Sequence, residues 1–192
     1  MTMKIGIIGA GNVGRTLGLQ WASNGHEVSF GVREPDKYKE LANKNSNIEI
    51  LLADEVARNH QLLVLAVPGK NVNTILQSLG DLTGKFLIDA TNMYSMQKLQ
   101  DQFPKAHFAK AFNHIGYNIM ENPQINDEKV TLLYCANSNE LANIVEQLII
   151  DIGFDPFYLG DNTFAGDLEN FALLWIKMSR NIGRNFGFKL IY

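Results

Sequence analysis

The hexapeptide GAGNVG near the amino terminus has the residue types and spacing of a loop that holds phosphate. Gly9 would permit a tight turn, Gly11 would let the backbone approach a pyrophosphate, and Gly14 would let a following helix pack close to the preceding strand. Asn12 and Val13 complete the loop, whose backbone N–H groups would face the anion at the positive end of that helix. Because the hexapeptide directly follows a predicted strand and opens a predicted helix, it predicts a dinucleotide site.

The segment GVREPDK, from Gly31 onwards, carries an acid and bases where dinucleotide sites distinguish NAD from NADP. An acid after the second strand would hold the ribose 2′-hydroxyl of NAD, whereas a base would accept the 2′-phosphate of NADP. Glu34 has the NAD-type spacing from the glycine loop. Pro35, however, predicts the first position of a helix, so Glu34 would open that helix and its charge would be explained by the helix dipole.

Arg33 and Lys37 have no such explanation, because cations at a helix amino terminus oppose the dipole by roughly a few tenths of a kcal/mol. A 2′-phosphate would supply the missing anion: arginine offers it a planar fork and lysine a mobile point charge. The alternative is a solvated basic pair beside Glu34 and Asp36. The sequence favours NADP(H) as the cofactor.

These residues must be positioned by alternating strands and helices. Apolar runs alternate with amphipathic segments of helix length, which is typical of parallel strands joined by crossover helices. The predicted strands are residues 4–8, 27–31, 48–51, 62–67, 85–90, 107–112 and 130–136. Residues 121–129 are the most loop-like stretch. The predicted fold class is α/β, a Rossmann doubly wound, mostly parallel sheet with a C-terminal helical segment.

Two units are expected in this chain. Residues 1–162 would form an NADP-binding Rossmann domain, and residues 163–192 a C-terminal helical segment. That segment has little polar face over two turns, so it would pack either on the domain or on a partner in a homodimer.

The carboxyl ends of the strands should line the ligand site, as in open parallel sheets generally. Asn92 and Asn113 each follow a strand and could hydrogen-bond a carboxamide or a ribose. His114 and Tyr117 are the protonatable side chains clustered there and are candidates for a general acid, although a loop histidine is commonly structural or exposed. The backbone after the fourth strand would lie along the cofactor, through Ala66, Val67 and Pro68.

The sequence contains no Ser-His-Asp set, no metal-spaced Cys/His cluster and no Tyr-x-x-x-Lys pair, and no metal site is expected. A site that aligns a nicotinamide with a hydride acceptor needs orientation more than acid–base residues. A net charge of −3 and a pI of about 5.8 give no pull toward nucleic acid or anionic membranes. The single cysteine, Cys135, fits a reducing compartment, and with no signal peptide or membrane span recognised, the expected location is the cytoplasm.

Five segments together resemble one protein family: residues 4–37, LAVP, IDATN, AKAFN and GRNFGFKL. The family is the NADP oxidoreductase, coenzyme F-420-dependent family, which also resembles the reductase domain of the six-transmembrane ferric reductases. The resemblance implies a Rossmann fold, NADP(H) in the glycine loop, hydride transfer to a deazaflavin or flavin, and often a homodimer. It places the 2′-phosphate at Gly31, Arg33 and Lys37. Val32 departs from the family, where a serine commonly adds a hydrogen bond to that phosphate.

Three functions follow as expectations. The first is an NADPH-dependent oxidoreductase that transfers a hydride between NADP(H) and a small conjugated acceptor, a flavin or a deazaflavin. The second is an imine or carbonyl reductase resembling pyrroline-carboxylate reductase, which would need a proton donor such as His114 or Tyr117. The third is a non-catalytic NADPH-binding module that senses redox state.

Overall fold

The computed structural model describes residues 2–92 and 95–191, and in these the strands form an eight-stranded sheet and a separate hairpin. Met1 and Tyr192, the outer ends of the two predicted units, lie outside the described residues, as do Met93 and Tyr94. The strands are β1 (Lys4–Ile8), β2 (Glu27–Val32), β3 (Ile48–Leu52), β4 (Leu62–Leu65), β5 (Phe86–Asp89), β6 (His107–Lys110), β7 (Gln124–Ile125), β8 (Glu128–Lys129), β9 (Thr131–Ala136) and β10 (Asp155–Tyr158).

The sheet has the order β10-β9-β6-β5-β4-β1-β2-β3. The strands from β3 to β6 in this order are parallel to one another, whereas β9 pairs antiparallel with β6 and β10 pairs parallel with β9. The predicted α/β fold with a mostly parallel sheet is therefore confirmed. Its parallel strands end along one edge, where their carboxyl ends bring the predicted ligand segments together.

The helices cover both faces of the sheet. They are α1 (Asn12–Ser23), α2 (Lys39–Ala42), α3 (Ala53–Asn59), α4 (Val72–Ser78), α5 (Met96–Gln102), α6 (Tyr117–Glu121), α7 (Asn139–Asp151) and α8 (Ala165–Ile182). One core contains side chains of α1, α6 and α7, and the other contains side chains of α3, α4, α5 and α8. Alternate residues of β4 enter the two cores, with Val64 in the first and Leu65 in the second. A strand covered on both faces reads as an uninterrupted apolar run.

Several strand predictions were wrong in extent. The strand predicted for residues 107–112 ends at Lys110, and Phe112, at a φ of 63°, has left the extended conformation. The loop-like stretch 121–129 contains the β7–β8 hairpin, whose turn residues Asn126 and Asp127 have φ values of 52° and 64°. Two positive φ values at the centre of the turn match the twist of a tight hairpin. The edge strand β10 was missed because Pro156 within it argues against a strand.

The predicted C-terminal helix is present as α8. It buries Leu168, Ala172 and Trp175 against its own domain and leaves Leu173 and Leu174 exposed. The chain then returns along the helix: the ring of Phe186 stacks on Trp175, with centroids 5.1 Å apart. Among the helices that the structure describes, none is long and apolar enough to cross a membrane.

Candidate functional site

The glycine loop joins β1 to α1 through a turn that needs glycine at two positions. Gly9 has a φ of 106°, and its N–H donates a hydrogen bond to the Gly31 carbonyl oxygen at 3.0 Å. A Cβ atom on Gly9 would lie 2.6 Å from the carbonyl oxygen of Ala66. A Cβ atom on Gly14 would collide with the Gly9 carbonyl oxygen. Both glycines thus permit the close approach of the loop to α1 and to the end of β4.

Gly11 differs from these two, because a Cβ atom there would have no atom within 4 Å. It is the N-cap residue of α1, it provides no side-chain cap, and the first turn of the helix contains no acid. The first helical hydrogen bond runs from the Arg15 N–H to the Gly11 carbonyl oxygen at 2.8 Å, so the N–H groups of Asn12 and Val13 precede the helical ladder. An open, uncapped and positive helix end fits a diphosphate group.

The residues after β2 are arranged as a buried strand end followed by an exposed charged turn. Val32 is buried in the core, whereas Arg33 is exposed. Pro35 does begin a helical segment, but this is a single 3-10 turn, Pro35–Tyr38, and Glu34 provides no side-chain cap for it. Within the described residues, Arg33 makes no ion pair or hydrogen bond through its guanidinium.

The prediction that Lys37 lacks an anion is wrong. Its Nζ atom contacts the Glu34 carboxylate at 2.8 Å, so Lys37 is not left without an anion. Both side chains are about two-thirds exposed, with values of 66% and 63%, and a pair of this kind is weak and readily exchanged. Arg33 is therefore the cation at this position that needs an anion, and Lys37 could join it by leaving Glu34.

The chain leaves β4 beside the glycine loop. The N–H of Ala66 donates to the Ile8 carbonyl oxygen at 3.0 Å, which keeps the strand exit parallel to the end of β1. Val67 packs against the loop, since its Cγ1 atom would lie 2.8 Å from a Cβ on Gly9, and Pro68 is exposed. Ala66 and Val67 thus lie against the glycine loop and are followed by Pro68; that the three residues line a cofactor stays a prediction.

The segment after β6 is built into the protein interior. Asn113 is buried and donates from Nδ2 to the Leu168 carbonyl oxygen at 3.1 Å, which ties it to α8. The His114 ring is also buried: its Nε2 accepts the Leu133 N–H at 3.3 Å, and Nδ1 lies 3.3 Å from the Asn113 side-chain oxygen. An Nε2 that accepts requires the ring proton on Nδ1, so Nδ1 donates to Asn113.

Burial lowers the pKa of His114 to about 4. The imidazole is therefore neutral at neutral pH, and both of its nitrogens are used inside the protein. This environment favours a structural role over that of a general acid. Tyr117 is partly buried at the first position of α6, which packs against α1. Asn92, by contrast with Asn113, is partly exposed at the end of β5.

A buried charged cluster contacts Thr91, the residue before Asn92, and was not predicted from the sequence. Lys110 Nζ lies 2.7 Å from Asp89 Oδ2, and both side chains have zero exposure. The ammonium group also donates to the Thr91 carbonyl oxygen at 3.1 Å and lies 3.6 Å from Glu169 Oε1 on α8. A lysine inside the apolar strand HFAKAF and an aspartate ending KFLIDA were the signals that could have revealed it.

No group of three His, Cys, Asp or Glu side chains that could hold a metal ion occurs in residues 2–92 and 95–191.

Residues 4–93, a little under half of the chain, match the model of the family NADP oxidoreductase, coenzyme F420-dependent. The resemblance is confirmed. The matched region of this F420-dependent oxidoreductase family runs from β1 to the end of the Asn92 segment, so it contains the glycine loop, Arg33 and the wall formed by Ala66, Val67 and Pro68.

Two comparisons extend over most of the chain. The metalloreductase STEAP3 of Rattus norvegicus is 25% identical over 181 residues, which are 88% of this chain and 36% of that protein. The chain thus spans about a third of the length of the curated relative. A solved structure from Arthrobacter sp. FB24, assigned to the F420-dependent NADP-reductases, superposes with a TM-score of 0.89 at 26% identity and covers 99% of this chain and 100% of its own.

A third comparison bears on the fold alone. A reductive aminase from Aspergillus terreus, solved with NADPH and ethyl-5-oxohexanoate, has a TM-score of 0.75 at 20% identity and covers 95% of this chain and 64% of its own. The Rossmann architecture is thus shared with proteins that carry additional residues beyond it.

Proposed function

We propose that the protein is an NADP-dependent oxidoreductase that transfers a hydride between NADP(H) and a small conjugated acceptor of the flavin or deazaflavin type. Two observations together carry the proposal: the open cradle at Gly11, and the exposed guanidinium of Arg33, which has no partner among the described residues. The family match of residues 4–93 and the likeness to an F420-dependent NADP-reductase support it.

The preference for NADP(H) rests on the distribution of charge after β2. Arg33 offers a planar fork with no partner in the part of the chain that the structure describes, which suits a phosphate better than a ribose hydroxyl. Glu34 is the acid with NAD-type spacing, but its carboxylate is engaged by Lys37. A bound 2′-phosphate would draw Lys37 toward itself, because a dianion attracts an ammonium group more strongly than an exposed carboxylate does.

The choice of a flavin or deazaflavin as the acceptor rests on the poor ability of His114 to donate a proton. His114 is neutral and fully engaged, so it is a poor proton donor to a substrate. A flavin or deazaflavin can take a hydride onto its ring system without an adjacent acidic side chain. The protein's own residues would then bind the dinucleotide, orient its nicotinamide and exclude water from the contact with the acceptor.

Two alternatives have a specific basis. Tyr117, partly exposed at the start of α6, is the side chain that could protonate an imine or carbonyl acceptor, so an imine or carbonyl reductase is the second candidate. Among the described residues, few acid–base side chains lie at the carboxyl ends of the parallel strands. This also suits the third candidate, a non-catalytic NADPH-binding sensor.

An acceptor panel distinguishes these functions. We expect loss of reduced-nicotinamide absorbance from NADPH with FMN or a deazaflavin, at a rate that the Tyr117→Phe variant retains. Oxidation of NADPH only with imines or carbonyls, abolished in Tyr117→Phe, would replace the proposal by the second candidate. Tight NADPH binding with no turnover on any acceptor would replace it by the third.

We also propose that the protein forms a homodimer through the exposed face of α8. Leu173 and Leu174 are 43% and 49% exposed and lie at the middle of that face. In an antiparallel pairing of two such helices about this point, Leu173 would meet Leu174 of the partner subunit, and Asp167 would meet Arg180 of the partner subunit. The helix is thus complementary to itself in apolar surface and in charge, as an isologous interface requires.

The oligomeric state tests this interface. Sedimentation equilibrium should give a dimer for the wild-type chain and a monomer for Leu174→Asp, because a carboxylate would be buried at the two-fold axis. Ile150→Asp is the matched control, since Ile150 is 47% exposed on α7, and it should remain dimeric. A wild-type monomer, or a Leu174→Asp dimer, would overturn the proposal.

A cytoplasmic location is also proposed. Cys135 is a free, buried thiol, and burial raises its pKa to about 12, so it stays protonated and unreactive. A chain without a disulfide suits a reducing compartment. Cell fractionation would test this, with recovery outside the soluble cytoplasmic fraction as the contrary result.

A further inference from the structure

The cluster of the buried residues Asp89, Thr91 and Lys110 with the partly exposed Glu169, here named the lysine clamp, joins three parts of the fold. Asp89 ends β5, Lys110 ends β6 opposite it in the strand register, and Glu169 lies on α8. Lys110 Nζ contacts the Asp89 carboxylate, the Thr91 carbonyl oxygen and, at the longer distance of 3.6 Å, the Glu169 carboxylate. One ammonium group therefore fixes the end of β5, the residues that follow it and the C-terminal helix.

Stability alone gives a weak reason for such a cluster. Removing charges from water is costly, and well-packed apolar residues commonly replace a buried ion pair with no loss of stability. What an ion cluster adds is direction, because each hydrogen bond defines where its partner must lie. The lysine clamp therefore defines where the atoms bonded to it must lie.

Those atoms belong to the segment that leaves β5. The Thr91 N–H donates to Asp89 Oδ1 at 2.9 Å while the Thr91 carbonyl accepts from Lys110, so the backbone of Thr91 is held from both sides. Glu169 Oε1 accepts the Met96 N–H at 2.8 Å, which fastens the start of α5 to the same carboxylate. The segment containing Asn92 is thus held at Thr91 and again at Met96.

The Thr91 side chain has spare hydrogen-bonding capacity at this point. Thr91 is 2% exposed, and its hydroxyl oxygen is buried with no hydrogen-bond partner in the described part of the chain. A buried hydroxyl without a hydrogen-bond partner is unfavourable, and such groups in native proteins commonly bind a ligand or a water molecule. It lies at the carboxyl end of β5, on the edge of the sheet where the nicotinamide half of a dinucleotide would reach.

We propose that Lys110, Asp89 and Glu169 are positioning residues that hold Thr91 and Asn92 for the nicotinamide half of the dinucleotide, and that the Thr91 hydroxyl contacts that half directly. The inference rests on the proposed function, because it needs a dinucleotide in the glycine loop. It separates the site into two parts: the glycine loop and Arg33 bind the phosphates, and the lysine clamp determines how well the nicotinamide half is held.

A pair of ligands measures the second part alone. The compound 2′,5′-ADP contains the adenine, the 2′-phosphate and a 5′-phosphate but no nicotinamide, so the ratio of its dissociation constant to that of NADP⁺ reports the contribution of the nicotinamide half. Calorimetric titration of the full chain with each ligand gives this ratio without any acceptor or turnover. We expect Thr91→Val and Glu169→Ala to reduce the ratio by about tenfold, the size of one hydrogen bond, and to leave 2′,5′-ADP affinity within about twofold.

Two further variants make the test specific. Glu169→Gln keeps an oxygen that can accept the Met96 N–H but loses the charge facing Lys110, so its ratio should lie between those of the wild type and Glu169→Ala. Glu140→Gln, an exposed acid at the start of α7, is the control and should leave both affinities unchanged.

The outcomes distinguish this inference from the function on which it rests. A wild-type chain that binds neither ligand would overturn both. A wild-type chain that binds both ligands, with Thr91→Val and Glu169→Ala keeping the wild-type ratio, would overturn the lysine clamp alone. An equal loss of affinity for the two ligands would also overturn it, because that pattern indicates a general structural defect.

Discussion

The phosphate end and the nicotinamide end of the candidate site are built in opposite ways. The phosphate end is open: backbone N–H groups at α1, the empty space at Gly11 and the exposed Arg33 all face outward. The nicotinamide end is closed: Lys110 and Asp89 form a buried ion pair, and the buried His114 ring is bonded to Asn113 and Leu133. One end offers exposed groups to an anion, and the other fixes the positions of Thr91 and Asn92 through a buried ion pair and its hydrogen bonds. Substitutions at the closed end should therefore lower folding stability, and substitutions at the open end should lower ligand affinity.

Lys110→Met should have the largest effect and should act on folding. It leaves the Asp89 carboxylate buried without its cation, which costs about 3–5 kcal/mol in the free energy of unfolding. The double variant Asp89→Asn/Lys110→Met removes both charges and should recover most of that loss. Urea denaturation measures both values, and a single variant as stable as the wild type would show that the pair is not closed to solvent.

His114 should make stability depend on pH at the same closed end. Its pKa is lowered to about 4 in the folded protein, against a usual value of about 6.5. The unfolded chain therefore takes up a proton first as the pH falls. This contribution is complete above about pH 6.5 and is lost progressively down to about pH 4, by about 3 kcal/mol in all.

The difference between the wild type and His114→Gln isolates that contribution from other titrating groups. We expect unfolding free energies of the wild type to fall more steeply than those of His114→Gln between these two pH values. Parallel pH profiles would show that the ring is protonated as easily in the folded state as in the unfolded state.

Gly11→Ala should act on binding and leave folding intact, the reverse of Lys110→Met. The added methyl group meets no protein atom, so the free energy of unfolding should stay within about 0.5 kcal/mol of the wild type. It would nevertheless occupy the space where the backbone must approach the pyrophosphate, so NADPH affinity should fall by about thirtyfold. Fluorescence titration checks the affinity, and unaltered binding would place the diphosphate elsewhere.

The same contrast explains how much the sequence could predict. The phosphate end lies within one β-α-β unit, so local spacing was enough to predict the turn at Gly9, the close approach at Gly14 and the candidate binding residues Gly11 and Arg33. The β-branched and apolar runs likewise indicated the fold class. The partner of Lys37 was missed because it depends on the form of a single 3-10 turn.

The nicotinamide end depends on contacts between distant segments. Lys110 meets Asp89 only because β5 and β6 are paired in that register. His114 is neutral because it is buried, and part of its surroundings is β9, where Leu133 donates to its ring. His114 was a candidate general acid because it follows a strand, but its surroundings are formed by elements from other parts of the chain. A single sequence does not contain that register. A lysine and an aspartate within apolar runs indicate buried charges, but not which residues they pair with, and the sequence has no such signal for the burial of His114.

Arg33 gives the most direct test of the central claim, that the free cation after β2 selects NADP(H). We expect the wild-type chain to bind NADPH at least about tenfold more tightly than NADH, and Arg33→Ala to lose most of that preference while its affinity for NADH stays the same, because one charge-assisted contact to the 2′-phosphate is removed. Glu34→Gln should keep the preference, since the Glu34 carboxylate contacts Lys37 and no other side chain among the described residues. Equal affinities for NADPH and NADH in the wild type, or an unchanged preference in Arg33→Ala, would contradict the account.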